Sequence, residues 1–338
     1  DRARVNFDWP FLEQADRERD VVLFAPIGWY SEAGGIAAGL RERGSYLGLV
    51  DRMEGGVTYY VDPNTEIDGA DRLQLWGRFW NPYLPGGRRP VMGLYGGVGH
   101  LDGILRVQLG REWRSAAGQN SHELDLALNY SNALEPRLAP ELWSTNVDAI
   151  DASASFRWQR GLGAGRGYVF FEPSGVVGTT TDDWYGKAEG ALGIVMQRPR
   201  ARAAFRLYAG ASHAAVAQRA LSLSAQDPVE TYWNHWWRPR GALLKRPGFN
   251  FLPLGGAGLR GYDAHVIADR TVAANVDVGT RLFQVPGMRS LAVWAHGFGD
   301  LGTLPGWDPL ADVGAGVSLR GRLFDRDIHA RLDAPVLV

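Results

Sequence analysis

The chain has no cysteine among its 338 residues. That excludes a disulfide scaffold, thiolate metal centres and a cysteine nucleophile. Long apolar runs are missing as well. Nowhere do about 18 hydrophobic residues follow one another, so no transmembrane helix is expected. Charge of one sign is not in excess either. Lys+Arg number 36 against 37 Asp+Glu, a formal net charge of −1, which leaves no basic surface for a nucleic-acid partner. The start, Asp1-Arg2-Ala3-Arg4, lacks an initiator Met and the apolar core of a signal peptide, and reads as a mature or trimmed end.

What is present is glycine, at 44 residues, and aromatics, with 13 Trp, 12 Tyr and 13 Phe. Together they suit many strands joined by tight turns. Period-two alternation recurs along the chain. Leu73, Leu75 and Phe79 oppose Gln74, Trp76 and Arg78; Leu124, Leu126 and Leu128 oppose Glu123, Asp125 and Asn129. From Thr271 to Leu282, Val272, Ala274, Val276 and Val278 oppose Asn275, Asp277 and Arg281. One face is apolar and the other charged, and alternation alone fits a soluble sandwich as well as a membrane barrel. Length favours the barrel. Many segments run about 10 to 14 residues, against about 9–11 for a tilted strand crossing a bilayer and 5–6 for an average soluble strand.

About sixteen strands are expected, near 3–10, 20–30, 33–44, 54–63, 72–83, 89–101, 103–115, 121–132, 147–159, 165–178, 183–198, 201–214, 271–285, 290–302, 311–324 and 327–338. Short connections at Pro286-Gly287-Met288 and Phe324-Asp325-Arg326 contrast with the longer Glu135–Asn146 link, as periplasmic turns contrast with external loops. Trp9, Trp29, Tyr30, Trp80, Tyr83, Trp113, Trp184 and Tyr185 fall near strand ends, where interfacial girdles sit. The fold class expected is therefore an all-β, transmembrane antiparallel barrel, one domain over 1–338. The outlier is the long link at about 215–270. It mixes aromatic and basic residues, as in Trp236-Trp237-Arg238, and is expected to fold into the lumen and pair its cations with lumen acids.

That link ends in Gly255–Tyr262, which reads G-G-A-G-L-R-G-Y. Leu259-Arg260-Gly261-Tyr262 resembles the [V/I/L]-R-G-[F/Y] motif of the BamA-type outer-membrane barrel superfamily. Phe298-Gly299-Asp300-Leu301-Gly302 resembles the strand motif F-x-D-x-G of the same superfamily. Arg331-Leu332-Asp333 is similar to its late-strand pattern. The resemblance implies that the first motif lies at the tip of a long extracellular loop folded back into the barrel, and that its Arg meets the acid of the second. Alternation agrees that Phe298 and Asp300 share a face with Trp294 and His296, opposite Leu291, Val293 and Ala295. A cation in a partly dehydrated lumen needs a carboxylate, best met through two parallel hydrogen bonds, and Gly261 is expected to let the tip turn tightly. The site residues are thus Leu259, Arg260, Gly261, Tyr262, Phe298, Asp300 and Gly302. The superfamily has five strands after the motif loop and the pattern here supplies four: either a closing strand lies beyond Val338, or the register differs, or the barrel closes differently. No periplasmic POTRA module is expected within the chain.

No cofactor and no metal is expected. His122-Glu123-Leu124-Asp125-Leu126 fails the H-E-x-x-H pattern and alternates as a strand. His265, beside Asp263 and Asp269, is a candidate hydrolytic constellation, but nothing at fixed spacing supplies a nucleophile or oxyanion donors. Gly93–Gly97 and Gly161–Gly167 lack the strand-turn-helix context of a phosphate loop. The resemblance implies a non-enzymatic role in protein translocation or insertion, or as the membrane anchor of a larger protein. The partners implied are lipid, lipopolysaccharide and a periplasmic, surface or fused protein. The alternatives are a passive pore and an outer-membrane hydrolase.

Overall fold

The computed structural model describes residues 4–7, 20–31, 34–46, 50–62, 67, 69–83, 91–134, 143–144, 147–163, 166–213, 216–224, 229, 232–233, 255–262, 267–286, 291–306, 308–323 and 326–337. Its strands, in chain order, are β1 (Arg4–Phe7), β2 (Asp20–Ser31), β3 (Gly35–Tyr46), β4 (Val50–Tyr60), β5 (Leu73–Tyr83), β6 (Val91–Leu101), β7 (Ile104–Ala117), β8 (Asn120–Ala133), β9 (Ala149–Gly161), β10 (Gly167–Thr179), β11 (Trp184–Gln197), β12 (Ala201–His213), β13 (Leu221–Ser222), β14 (Ile267–Ala268), β15 (Arg270–Gln284), β16 (Leu291–Thr303), β17 (Leu310–Leu323) and β18 (Arg326–Leu337). All but β13 and β14 belong to one 16-stranded sheet, in which each strand pairs with its neighbour in sequence and β12 pairs directly with β15. β13 and β14 form a small ladder between them, inside the long link.

From β2 onward the pairing is antiparallel, as expected. β1 departs from that expectation: it is short and runs parallel to β2. A parallel neighbour requires a crossing connection of about a dozen residues, and the segment from Phe7 to Asp20 is of that order. The fourth strand begins at Val50, earlier than the alternation suggests, because Gly55 and Gly56 hide its pattern.

Polarity is inverted along most of the long strands, β2 excepted, where Leu23, Ala25 and Trp29 are the buried positions. On β8, Leu128 is 60% exposed while its neighbour Asn129 is 5% exposed. Leu75, Val98, Val177, Leu192, Val276 and Val317 lie on the exposed face, whereas Gln74, Arg106, Asp151, Lys187, Asp277 and Ser318 are buried on the other. The sheet curls so that the polar face is inside. One cavity of about 540 Å³ is lined together by Glu123 of β8, Glu172 of β10, Arg206 of β12, Asp277 of β15 and Arg331 of β18. Strands remote in the sheet order share a single interior, the polar lumen of a membrane barrel. Among the described residues no ladder joins β1 to β18.

The aromatic expectation needs correction. Trp113 and Trp184 do lie on the outward face, Trp184 being stacked on His213. Trp29, Trp80 and Tyr185 turn inward. Tyr185 is buried and donates to Asp151, and the Trp80 indole donates to Glu112, so lumen polar partners claim these two, while Trp29 packs in the apolar cluster with Tyr60 and Trp76. Trp9 lies outside the described residues, as do the side chains of Tyr30 and Tyr83.

Candidate functional site

Among the described residues, the long link between β12 and β15 touches the inner wall in three places. The first is its start. Arg219, in a short 3-10 turn at Ala217–Arg219, donates to Asp151 of β9 from Nε at 2.9 Å and from Nη2 at 2.6 Å. Asp151 also accepts from Tyr185 at 3.0 Å and from Asn129 at 2.9 Å. A nearly dry ion pair is tolerable only when its remaining lone pairs are met, and here they are.

The second contact is aromatic. The Tyr232 hydroxyl reaches the carbonyls of Gly99 and Ile104, and the Trp233 indole donates to Gln108 at 2.9 Å. Arg106 of β7 donates to the Val229 carbonyl and to Asn129, and lies over the Tyr232 and Trp233 rings at 5.4 and 5.5 Å. Glycine makes this approach feasible: a Cβ at Gly99 would stand 3.0 Å from the Trp233 ring.

The third is the tip. Leu259 is fully buried with Leu223, Ala257, Ala273, Leu304 and Leu310. It sits over Gly302, where a Cβ would meet Leu259 Cδ1 at 2.8 Å. Next to it, Arg260 extends its fork onto Asp300 of β16, Nε to Oδ2 at 2.8 Å and Nη2 to Oδ1 at 2.7 Å. Nη1 donates to Asp277 at 3.1 Å, and the guanidinium lies 3.9 Å from the centroid of the Phe298 ring. Burial alone works against the cation. Hydrogen bonding and attraction to Asp300, followed by Asp277 and Asp333, outweigh it and hold the Arg260 pKa above its ordinary value.

The Gly261 amide donates to Asp312 of β17 at 3.1 Å, and the Tyr262 hydroxyl pairs with the backbone of Ala311. The sharp turning expected of Gly261 falls instead to Gly256 and Gly258, at φ 54° and 74°, a region that glycine alone enters freely.

All seven expected site residues thus gather at one place, each with an identifiable neighbour. Sequence reasoning missed the rest of the network. Asp277 is shared between Arg260 and Arg331, and Asp333 accepts from Arg331 at 2.8 Å and lies 2.5 Å from His296 Nε2. His296 on β16 and Asp333 on β18 meet across Gly316 of β17, where a Cβ would clash with both. The Arg219–Asp151 anchor carried no motif; its one sequence signal was the inward parity of Asp151 on β9.

Other candidates do not assemble. Among the described residues no group of three or more His, Cys, Asp or Glu is placed to hold a metal ion. His122 and Glu123 point to opposite faces of β8, with Glu123 bonded to Arg114. Asp263, His265 and the Trp236–Arg238 stretch lie outside the described residues. Gly93 and Gly97 are lumen-side strand positions, and Gly163 is a turn at φ 67°.

No protein-family model matches the sequence, and no curated protein matches it. Among solved structures, the chain is similar to a bacterial polysaccharide outer membrane secretin, at 11% identity over 93% of this chain and 89% of that one, with a TM-score of 0.46. It is also similar to BamA from Haemophilus ducreyi lacking POTRA domains 1–3, at 12% identity over 96% and 68%, TM-score 0.49. A third is CdiB from Acinetobacter baumannii, at 11% identity over 96% and 57%, TM-score 0.45; this chain spans little more than half the length of that protein. Long strands in one sheet, apolar outward and charged inward around a shared lumen, give the chain the architecture of an outer-membrane β-barrel.

Proposed function

We propose that this barrel has BamA-type architecture, one domain with its 215–270 loop lodged in the lumen, and that it works in protein translocation or insertion at the outer membrane or anchors a larger protein there. The observation that carries the reading is Arg260, buried in the lumen at the tip of that loop and forked onto Asp300. The two residues belong to the sequence motifs that resemble those of the superfamily. The described loop residues Leu221, Leu223, Ala257 and Leu259 have no exposed surface. A passive pore has no use for such a plug, whereas a polypeptide-handling barrel needs a removable seal.

The partners of this reading are outer-membrane lipid and lipopolysaccharide, together with a periplasmic, surface or fused protein that supplies the client or is held by the anchor. The test is reconstitution. Purified chain in liposomes is offered a urea-denatured outer-membrane protein, and folding is followed by heat-modifiable migration. Faster folding than in empty liposomes, lost in Asp300→Ala, is the expected result. Equal rates with and without the barrel remove insertion and leave anchoring.

A further inference from the structure

The lumen wall below the loop tip carries more cations than it can pair. On the inward faces of β12, β15, β17 and β18 stand Arg202, Arg281, Arg320 and Arg331. Arg331 is ion-paired with Asp277 and Asp333. Those two acids are then fully engaged, because Asp277 also serves Arg260 and Asp333 also meets His296. Among the described residues, Arg202, Arg281 and Arg320 have no carboxylate within ion-pair distance. Arg320 donates only to the Ser318 hydroxyl at 3.1 Å and lies 5.9 Å from the Trp294 ring, while Arg202 and Arg331 repel it and Asp277 and Asp333 attract it.

Each of the three is partly buried. Like charges gathered in a half-enclosed space without a carboxylate of their own at ion-pair distance are unfavourable, and an anion arriving there relieves the repulsion. The molecule as a whole is near neutral, so the excess is local.

Geometry narrows the anion. Arg202 and Arg320 are three strand steps apart and four residues out of register, roughly 20 Å at the usual strand spacing and rise. Arg281 lies between them, opposite Trp294. One oxyanion is too small to reach all three. An extended polypeptide sets alternate side chains roughly 7 Å apart, so acidic residues at alternating positions span the row, with Trp294 beneath the chain. The wall lies toward the mouth formed by the short turns at 118–119 and 198–200, on the side of the lumen away from the loop anchors. That mouth faces the periplasm if short turns mark it here as in other barrels of this kind.

We infer that Arg202, Arg281 and Arg320 form a docking row for an acidic, extended segment of polypeptide approaching from that mouth. The inference rests on the polypeptide-handling function proposed above and names the client chemistry it would favour.

The test uses the full chain in detergent micelles, first checked for heat-modifiable migration so that only folded barrel is compared. A fluorescent ten-residue peptide of alternating Glu and Ser is titrated in, with its Lys–Ser counterpart and inorganic pyrophosphate as comparisons. Wild type is expected to bind the Glu peptide, to bind it more weakly as salt rises, and to ignore the Lys peptide. The triple variant R202Q/R281Q/R320Q is expected to lose about tenfold or more in affinity. If that variant does not fold, the Glu-against-Lys contrast on wild type decides alone. Equal binding of both peptides, an unchanged triple variant, or displacement of the Glu peptide by equimolar pyrophosphate overturns the inference, the last by reducing the row to a small-anion site. None of these outcomes touches the liposome assay of insertion, so the two readings fail separately.

Discussion

The guanidinium of Arg260 meets the carboxylate of Asp300 through two parallel hydrogen bonds across 40 positions of sequence. Asp300 is fully buried as a side chain and Arg260 nearly so. Such a pair is weak evidence of net stability by itself, yet breaking it strands a charge. Arg260 leaves behind Asp300, Asp277 and the Gly261–Asp312 contact; Asp300 leaves behind an arginine still held by Asp277.

Arg260→Ala and Asp300→Ala are each expected to weaken the seating of the loop by about 3–5 kcal/mol. The readout is the temperature at which the folded band converts in heat-modifiability gels, together with protease cutting within 225–254. The double variant should behave much like the worse single one, because the first substitution already removes the shared contact. Losses that simply add would show that the two side chains do not depend on each other.

Gly302 offers a second, steric test at the same place. Its absent side chain is the space that Leu259 fills. Gly302→Val is expected to lift the tip and cost about 1–3 kcal/mol by overpacking. Leu259→Ala alone leaves a cavity and costs about 2–5 kcal/mol. Combined, the two changes of opposite size should recover part of the loss. Thermal conversion of the double variant below both singles would mean that these residues do not pack together.

How much of this was legible beforehand follows from what alternation encodes. A strand with two unlike faces writes its parity into the sequence, so the inward placing of Phe298, Asp300 and Asp277 was readable, as were fifteen long strands to within a few residues. The parity of a strand says nothing about what reaches it from elsewhere. Tyr232, Trp233 and Arg219 sit in a link without period, and their partners Gly99, Gln108 and Asp151 look like any other lumen positions. Trp80 and Tyr185 were misplaced for the same reason: closeness to a strand end suggests an interface, while the lumen acids that hold them are strands away. The parallel β1 has only four residues, too few for a pattern to declare direction.

The seal itself can be opened. With the loop seated, planar-bilayer recordings of the wild type are expected to show little conductance. Deleting about residues 220–265 removes Leu221, Leu223, Tyr232, Ala257, Leu259 and Arg260 from the lumen at once. A lumen lined by charged rings then conducts, and single-channel events several-fold larger than in the wild type are expected. A large, steady conductance in the intact chain would mean that the loop does not close the passage.

The membrane reading turns on Val276, which is 44% exposed at the middle of β15, one residue from the buried Asp277. In a soluble sheet an exposed valine accepts lysine with little effect, commonly within about 0.5 kcal/mol. In a barrel wall the same side chain faces hydrocarbon near the bilayer midplane, and lysine there costs about 2–4 kcal/mol, declining toward the interfaces. Val276→Lys is therefore expected to lower the midpoint of urea unfolding in liposomes markedly, while Val272→Lys, closer to the strand end and more exposed at 57%, lowers it less. The depth dependence is the discriminating part. Exposure alone predicts small effects at both sites, whereas immersion predicts a gradient along one strand face, and a flat response would place this face in water.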